Sequence, residues 1–169
     1  MSRPEPELAL RPAGDDDRGF LAGVYASTRT EELGPVPWSD EQKAAFLEQQ
    51  FTAQSAHYAA HFADASFDVV LVDGDPAGRL IVARREDVLK VIDIALLPEH
   101  RGRGLGTRLL RPLLDEASER GVKVEVYVEQ FNPALRLYER LGFAARETNG
   151  VYLRMERPPD GGGQAKIAS

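Results

Sequence analysis

The spacing of apolar residues changes character at about residue 67, and that change divides the chain into a helical first part and a strand-rich second part. Phe20, Leu21, Val24, Tyr25 and Thr28 recur at helical spacing after three aspartates that suit a helix start, which predicts a helix over 15–28. Gly34-Pro35-Val36-Pro37 breaks it. Ser39 followed by Gln42 is a capping-box signature. It opens a second helix with Leu47, Phe51, Gln54, Tyr58 and Phe62 on one face, ending before Ser66. The period then becomes two, predicting strands over 67–72, 79–84 and 88–97 with connections at 73–78 and 85–87 short enough for antiparallel hairpins. Leu105, Leu109, Leu110, Leu113, Leu114 and Ala117 predict a helix over 104–120 terminated by Gly121. Pro112 inside it removes one backbone hydrogen bond, so a kink near Arg108 or strong packing is expected. A strand over 122–128, a short helix over 132–141 with Pro133 at its first position, and a hairpin pairing 144–147 with 151–155 around Asn149-Gly150 complete the pattern. The fold class expected is α/β of the α+β type: a mixed, mostly antiparallel sheet flanked by helices.

Length and charge narrow the classes. At 169 residues the chain suits one domain, taken as 1–157, and the Pro-Pro-Asp-Gly-Gly-Gly stretch within 158–169 has nothing to bury and is expected to be a disordered tail. The net charge of −6 argues against a nucleic-acid partner. No apolar run reaches the roughly 20 residues of a membrane span, and residues 1–7 lack the apolar core of a secretory signal. The absence of cysteine excludes disulfides, thiolate metal sites and a cysteine nucleophile, and suits a reducing cytoplasm. The expectation is a cytoplasmic protein. His57 and His61 have metal-ligand spacing without a third ligand, so no metal is expected.

Chemistry concentrates after the third strand. Arg101-Gly102-Arg103-Gly104-Leu105-Gly106 lies between an apolar strand and an amphipathic helix, where glycines permit close approach and free helix N–H groups favour an anion. Two glycines in a strand-to-helix turn also arise for steric reasons alone. The dinucleotide fingerprint fails, because its third glycine would fall at Leu105 or Thr107, and no Gly-Lys-Ser or Gly-Lys-Thr of a P-loop exists. Arg103, Arg108 and Arg111 gather with Arg101 around this segment, as a phosphate-rich ligand would favour.

Arg101, Gly104 and Gly106 match the acyl-CoA loop of the GNAT acetyltransferases: Arg or Gln, two residues, Gly, one residue, Gly or Ala. Residues 94–101 resemble that family's fourth strand. Asn132-Pro133-Ala134 leading to Leu137-Tyr138-Glu139-Arg140-Leu141-Gly142-Phe143 resembles its closing helix. The resemblance covers about residues 67–155 and implies the GNAT fold, with acetyl-CoA as co-substrate. It implies that backbone groups of Gly102, Arg103, Gly104, Leu105, Gly106 and Thr107 cradle the pyrophosphate next to Arg101. It further implies that Ile94, Ala95 and Leu96 pair with pantetheine, and that Tyr138 protonates the departing thiolate. The residue seven before Tyr138, where the family places asparagine, is Phe131, and Asn132 lies six before. Asn132 fits helix capping and coenzyme contact equally.

For the general base the residues offer Asp93, an acid interrupting the apolar run Val91-Ile92-Asp93-Ile94-Ala95, and Glu125 and Glu129 on one face of the next strand. Glu31 or Glu32, placed between the first two helices, is a further choice. By resemblance, Tyr25, Arg29, Glu32, Trp38 and Tyr58 fall in the segment that walls the acceptor cleft, though packing alone also accounts for each. The implied reaction is acetyl transfer from acetyl-CoA to a primary amine by direct attack in a ternary complex. The acceptor is a small-molecule, amino-acid or protein amine, and a homodimer is compatible with the fold. A non-catalytic acyl-CoA sensor is the alternative from another class.

Overall fold

The computed structural model describes residues 5–160, so the expected tail lies largely outside the described residues. Seven strands form one sheet in the order β1-β2-β3-β4-β5-β7-β6. They are β1 (Leu8–Pro12), β2 (Ser66–Val72), β3 (Asp75–Arg84), β4 (Val88–Leu96), β5 (Lys123–Glu129), β6 (Ala144–Asn149) and β7 (Tyr152–Arg157). The helices are α1 (Arg18–Leu33), α2 (Asp40–His61), α3 (Leu105–Arg120) and α4 (Leu135–Arg140). The one parallel pair with a given register is β4 with β5, against antiparallel β1–β2, β5–β7 and β6–β7, which agrees with the expected mixed sheet. By contact the chain divides into two compact units, residues 1–81 with 94–102, and residues 82–93 with 103–169.

In the first unit, the amphipathic α2 behaves as its pattern dictates. Ser39 Oγ accepts the Gln42 N–H while Gln42 Oε1 accepts the Ser39 N–H, so the capping box is complete. Phe51 is buried on the apolar face, tilted against Tyr25 of α1. Arg79 of β3 lays its buried guanidinium against the Phe51 and Tyr58 rings and donates to Gln54 Oε1, which ties α2 to the sheet.

Three expectations need correction here. The first helix continues to Leu33, because nothing breaks the chain before Gly34-Pro35. Glu32 therefore sits in the last turn of α1 and not in a loop, and Glu31 too belongs to the helix. The β2–β3 connection is only Asp73-Gly74, both at positive φ as a two-residue hairpin turn needs, so β3 begins at Asp75 and not at Arg79. Strand β1, absent from the sequence-based assignment, pairs with β2 from Leu8–Val72 to Pro12–Asp68. It is a five-residue strand whose terminal proline suits the sheet edge, and pairing rather than local pattern makes it.

Asp17 fastens the start of α1. Its carboxylate accepts two hydrogen bonds from Arg11 at 2.8 Å and one from the Gly14 N–H, and these hold its pKa down at about 2. A depressed carboxylate stabilises the fold above its unfolded pKa of about 3.9 and loses that contribution as pH falls toward its folded value. Urea midpoints of the wild type and of Asp17→Asn should therefore differ above pH 4 and converge as pH approaches 2.

In the second unit, α3 buries Leu105, Leu109, Leu110, Leu113, Leu114 and Ala117, as predicted, and Gly121 closes it in the left-handed conformation. Pro112 is accommodated inside the helix. Val124, Val126 and Val128 of β5 are buried, while Lys123, Glu125, Tyr127 and Glu129 alternate onto the other face. There Glu125 is buried and paired with Lys90 at 3.3 Å and Arg154 at 3.6 Å. Arg111, expected near the glycine loop, lies two turns into α3, where its charge lowers the pKa of buried Arg157 beyond the effect of desolvation. The short helix also differs from expectation: residues 132–134 form a turn and α4 starts at Leu135, so Pro133 is not its first residue. Strand β6 is exposed along its whole length and carries a bulge between Ala145 and Glu147.

Candidate active site

Within the first unit, β4 ends in a tight arrangement that glycine makes possible. A Cβ on Gly78 of β3 would lie 2.2 Å from the Ala95 carbonyl oxygen, so that carbonyl rests directly on the glycine. The peptide is trans, which turns the Leu96 N–H the opposite way, away from Gly78. Leu97 N–H donates to Ala77 O and locks the end of the strand. The ladder between β4 and β5 runs from Val88–Lys123 to Val91–Val126 while β4 continues to Leu96, so the main chain of residues 92–96 lies beyond it.

Arg101 acts on that strand end rather than reaching outward. Its Nε donates to the Leu96 carbonyl at 2.8 Å, and its guanidinium donates to Ser27 Oγ of α1, which in turn donates to Val24 O. Its own N–H is committed to Pro98 O. The side chain thus holds Leu96 in place, a positioning role that its motif did not reveal.

In the second unit, Gly104 caps α3 at φ 77°, a left-handed conformation that costs a non-glycine residue about 1–2 kcal/mol. The first helical bond is Arg108 N–H to Gly104 O, so the N–H groups of Leu105, Gly106 and Thr107 precede the ladder and are available to an anion. Leu105 is buried and anchors this turn. Gly106 lets α4 approach: a Cβ there would meet Leu137 Cδ2 at 3.3 Å. Arg103 and Arg108 flank residues 105–107 in the sequence. Amides that precede the helical ladder are the chemistry an anion requires.

Leu137 packed against Gly106 brings Tyr138 with it. The Tyr138 side chain is buried, 4% exposed, with its ring edge-on to Phe143 at 5.5 Å. Burial, and then the charge of Asp93, push its phenol pKa well above 10, so the hydroxyl stays protonated. That coupling brings together two residues 45 positions apart, both singled out from the sequence.

The model of the acetyltransferase (GNAT) family matches residues 17–143. The chain belongs to this family. Streptothricin acetyltransferase of Streptomyces lavendulae is 39% identical over 84 residues, covering 47% of this chain and 44% of the relative. A mycothiol acetyltransferase of Nocardiopsis dassonvillei is 32% identical over 171 residues, covering 88% of this chain and 48% of the relative. The chain thus spans less than half the length of these curated relatives. The crystal structure of PaiA N-acetyltransferase from Thermoplasma acidophilum in complex with coenzyme A superposes with a TM-score of 0.68 at 17% identity, over 90% of this chain and 99% of that one, and establishes the shared GNAT fold.

The remaining candidates of this GNAT chain are placed as follows. Tyr25 is buried against Phe51, with Arg29 over its ring at 5.3 Å. Arg29 also reaches Glu32 at 3.4 Å. Trp38, 42% exposed, stacks edge-on to Phe46. Tyr25 therefore serves α1–α2 packing, while Glu32 and Trp38 keep surface that a ligand can touch. Glu125 is occupied by its ion pairs, and Glu129 stands opposite Tyr152 on the charged face of β5. Asn132 accepts the Ala134 N–H on its side-chain oxygen within the turn before α4, while the N-cap of α4 itself is Ala134 and carries no side-chain cap. His57 and His61 stack with centroids 4.3 Å apart, and His61 Nδ1 contacts His57 O. Among the described residues no helix is long and apolar enough to cross a membrane.

Proposed function

We propose that the chain transfers an acetyl group from acetyl-CoA to a primary amine by direct attack within a ternary complex. The observation that carries this reading is the pairing, across Gly106 and Leu137, of a phosphate-ready helix start with a buried, protonated tyrosine. Acetyl-CoA supplies the activated thioester. In this reading the amides of residues 105–107 hold its pyrophosphate. Tyr138 gives its proton to the sulfur. A phenol kept neutral by burial is matched to this task, because the same surroundings raise the basicity of a departing thiolate.

Asp93 is the carboxylate we assign to the amine proton, on the strength of its electrostatic reach to Tyr138. Asp93→Asn should lower kcat about a hundred-fold at neutral pH. The loss should shrink as rising pH supplies free amine without help; a uniform loss across pH would transfer the role elsewhere.

The acceptor is proposed to be a small-molecule amine, since relatives carry streptothricin and mycothiol in their names. The test is calorimetric titration with acetyl-CoA, followed by thiol release against a panel of small amines, amino acids and peptides. Binding with release for one acceptor establishes the transferase. Binding with no release across the panel favours the sensor, and no binding at micromolar protein removes the coenzyme assignment.

A further inference from the structure

Within the first unit, α1, α2 and the β2–β3 hairpin surround a cavity of about 220 Å³. Folded interiors hold few voids larger than a water molecule, so packing alone does not call for one of this size. Phe51, Arg79 and Ile81 are buried and form its floor, and the exposed Ser55 stands at its rim. Asp68 of β2 lines it together with the apolar side chains of Leu21 and Phe67. We propose that this cavity is a second ligand site that takes a free α-amino acid with an apolar side chain. Its carboxylate would rest on the Arg79 guanidinium, its ammonium on Asp68, and its side chain against the rings.

The two charges select the ligand. A bare carboxylate would meet Asp68 and a bare amine would meet Arg79, so each is disfavoured by a like charge, whereas a zwitterion has a partner for both of its groups. Arg79 is 6% exposed, and a cation is costly to bury where an apolar residue of similar volume would pack as well. Its planar guanidinium matches a carboxylate with two parallel donors. The Phe51 and Tyr58 rings lie 5.9 and 6.0 Å from the guanidinium carbon, and Gln54 Oε1 accepts from it at 2.9 Å, so the side chain is held in position before any ligand arrives. Those contacts tie α2 to the sheet, and the tie does not require the open space in front of it.

Size and place set this cavity apart from the acetyl-transfer site. About 220 Å³ falls below the roughly 300–1,000 Å³ of sites for drug-sized ligands, which suits a small metabolite and excludes a coenzyme. Walls that are mostly apolar, with a few polar groups to fix orientation, are the usual make-up of such a site. The cavity meets α1 at Leu21, whereas the contact of α1 with Arg101 at the end of β4 is made by Ser27, about 9 Å further along the helix axis. Leu96 and Arg101 do not line it.

The inference does not rest on the proposed function, because binding is measured without acetyl-CoA. Calorimetry on the wild-type protein would use L-leucine and L-phenylalanine, each beside the two analogues that lack one of its charges: isopentylamine and 4-methylpentanoate for the first, phenethylamine and 3-phenylpropanoate for the second. At least one amino acid should bind with a Kd below about 1 mM, and both of its analogues should bind about ten-fold more weakly or worse, the loss of one charge-assisted hydrogen bond. Arg79 is left in place, since its removal would also loosen α2. Ser55→Trp fills the rim from an exposed helix position, so it should keep the wild-type Tm and weaken the amino acid by about ten-fold. Asp68→Asn should bring the amino acid and its carboxylate analogue to within about two-fold of each other. No binding of either amino acid at about 10 mM, or analogues that bind as well as the parent, would overturn the site. So would an affinity that Ser55→Trp leaves unchanged, or equal weakening of the amino acid and its carboxylate analogue by Asp68→Asn. With acetyl-CoA added, N-acetylation of the bound amino acid that Ser55→Trp abolishes would make the cavity the acceptor site and overturn a second one.

Discussion

Replacing Tyr138 by phenylalanine should lower kcat on the order of a thousand-fold while leaving the Kd for acetyl-CoA within two-fold of the wild type. The substitution removes one oxygen from a ring that is already buried and packed edge-on to Phe143, so the shape of the site survives. What disappears is the proton held ready for the sulfur. A loss confined to turnover is the signature of an interaction made in the transition state alone; a matching loss of coenzyme affinity would instead mean that the hydroxyl is a binding contact. The same residue makes an alkaline prediction. Because its folded pKa is raised by burial and then by Asp93, Tyr138 contributes stability below the unfolded phenol value of about 10 and loses it as pH climbs toward the folded value. Thermal melts should show the wild type losing ground to Tyr138→Phe above pH 10, and ultraviolet titration should show a late-ionising phenol that Tyr138→Phe removes.

The second large effect is structural. Gly78→Val should destabilise the protein by about 3 kcal/mol or more, at the upper end of what forced overpacking costs. The reason is the identity of the obstacle: the new Cβ would meet the carbonyl oxygen and Cα of β4 backbone, at 2.2 Å from Ala95 O and 3.0 Å from Leu96 Cα, and backbone cannot rotate aside as a side chain can. For a domain of this size that corresponds to a fall in Tm of roughly 6–12 °C. A variant with unchanged Tm would mean that the end of β4 relaxes freely.

Much of this architecture can be read along the chain because local periodicity and tertiary burial agree. The α3 stripe of Leu105, Leu109, Leu110, Leu113, Leu114 and Ala117 is both regular and fully used, and the Ser39–Gln42 box marks the start of α2 to the residue. Agreement fails where a partner distant in sequence decides. Strand β1 exists through its ladder to β2, and α1 runs on to the buried Leu33 until Gly34 and Pro35 stop it, which carries Glu32 out of the loop. At the site, the glycines of the loop are legible because their conformational demands are local. The Gly78–Ala95 contact, the grip of Arg101 on Leu96, and the coupling of Asp93 to Tyr138 are not, since each joins residues whose proximity only the fold creates.

The bulged, wholly exposed β6 bears on how copies of this chain can meet. A straight, apolar sheet border invites a neighbouring molecule to continue the ladder, and natural proteins blunt such borders with kinks and charges. With the irregularity at Ala145–Glu147 and the charged side chains of Arg146 and Glu147 along it, β6 is a poor template for strand exchange. Self-association of this chain should therefore be built from side-chain surfaces rather than from a sheet shared through β6, and crowded solutions should be spared ladder-to-ladder growth from that border.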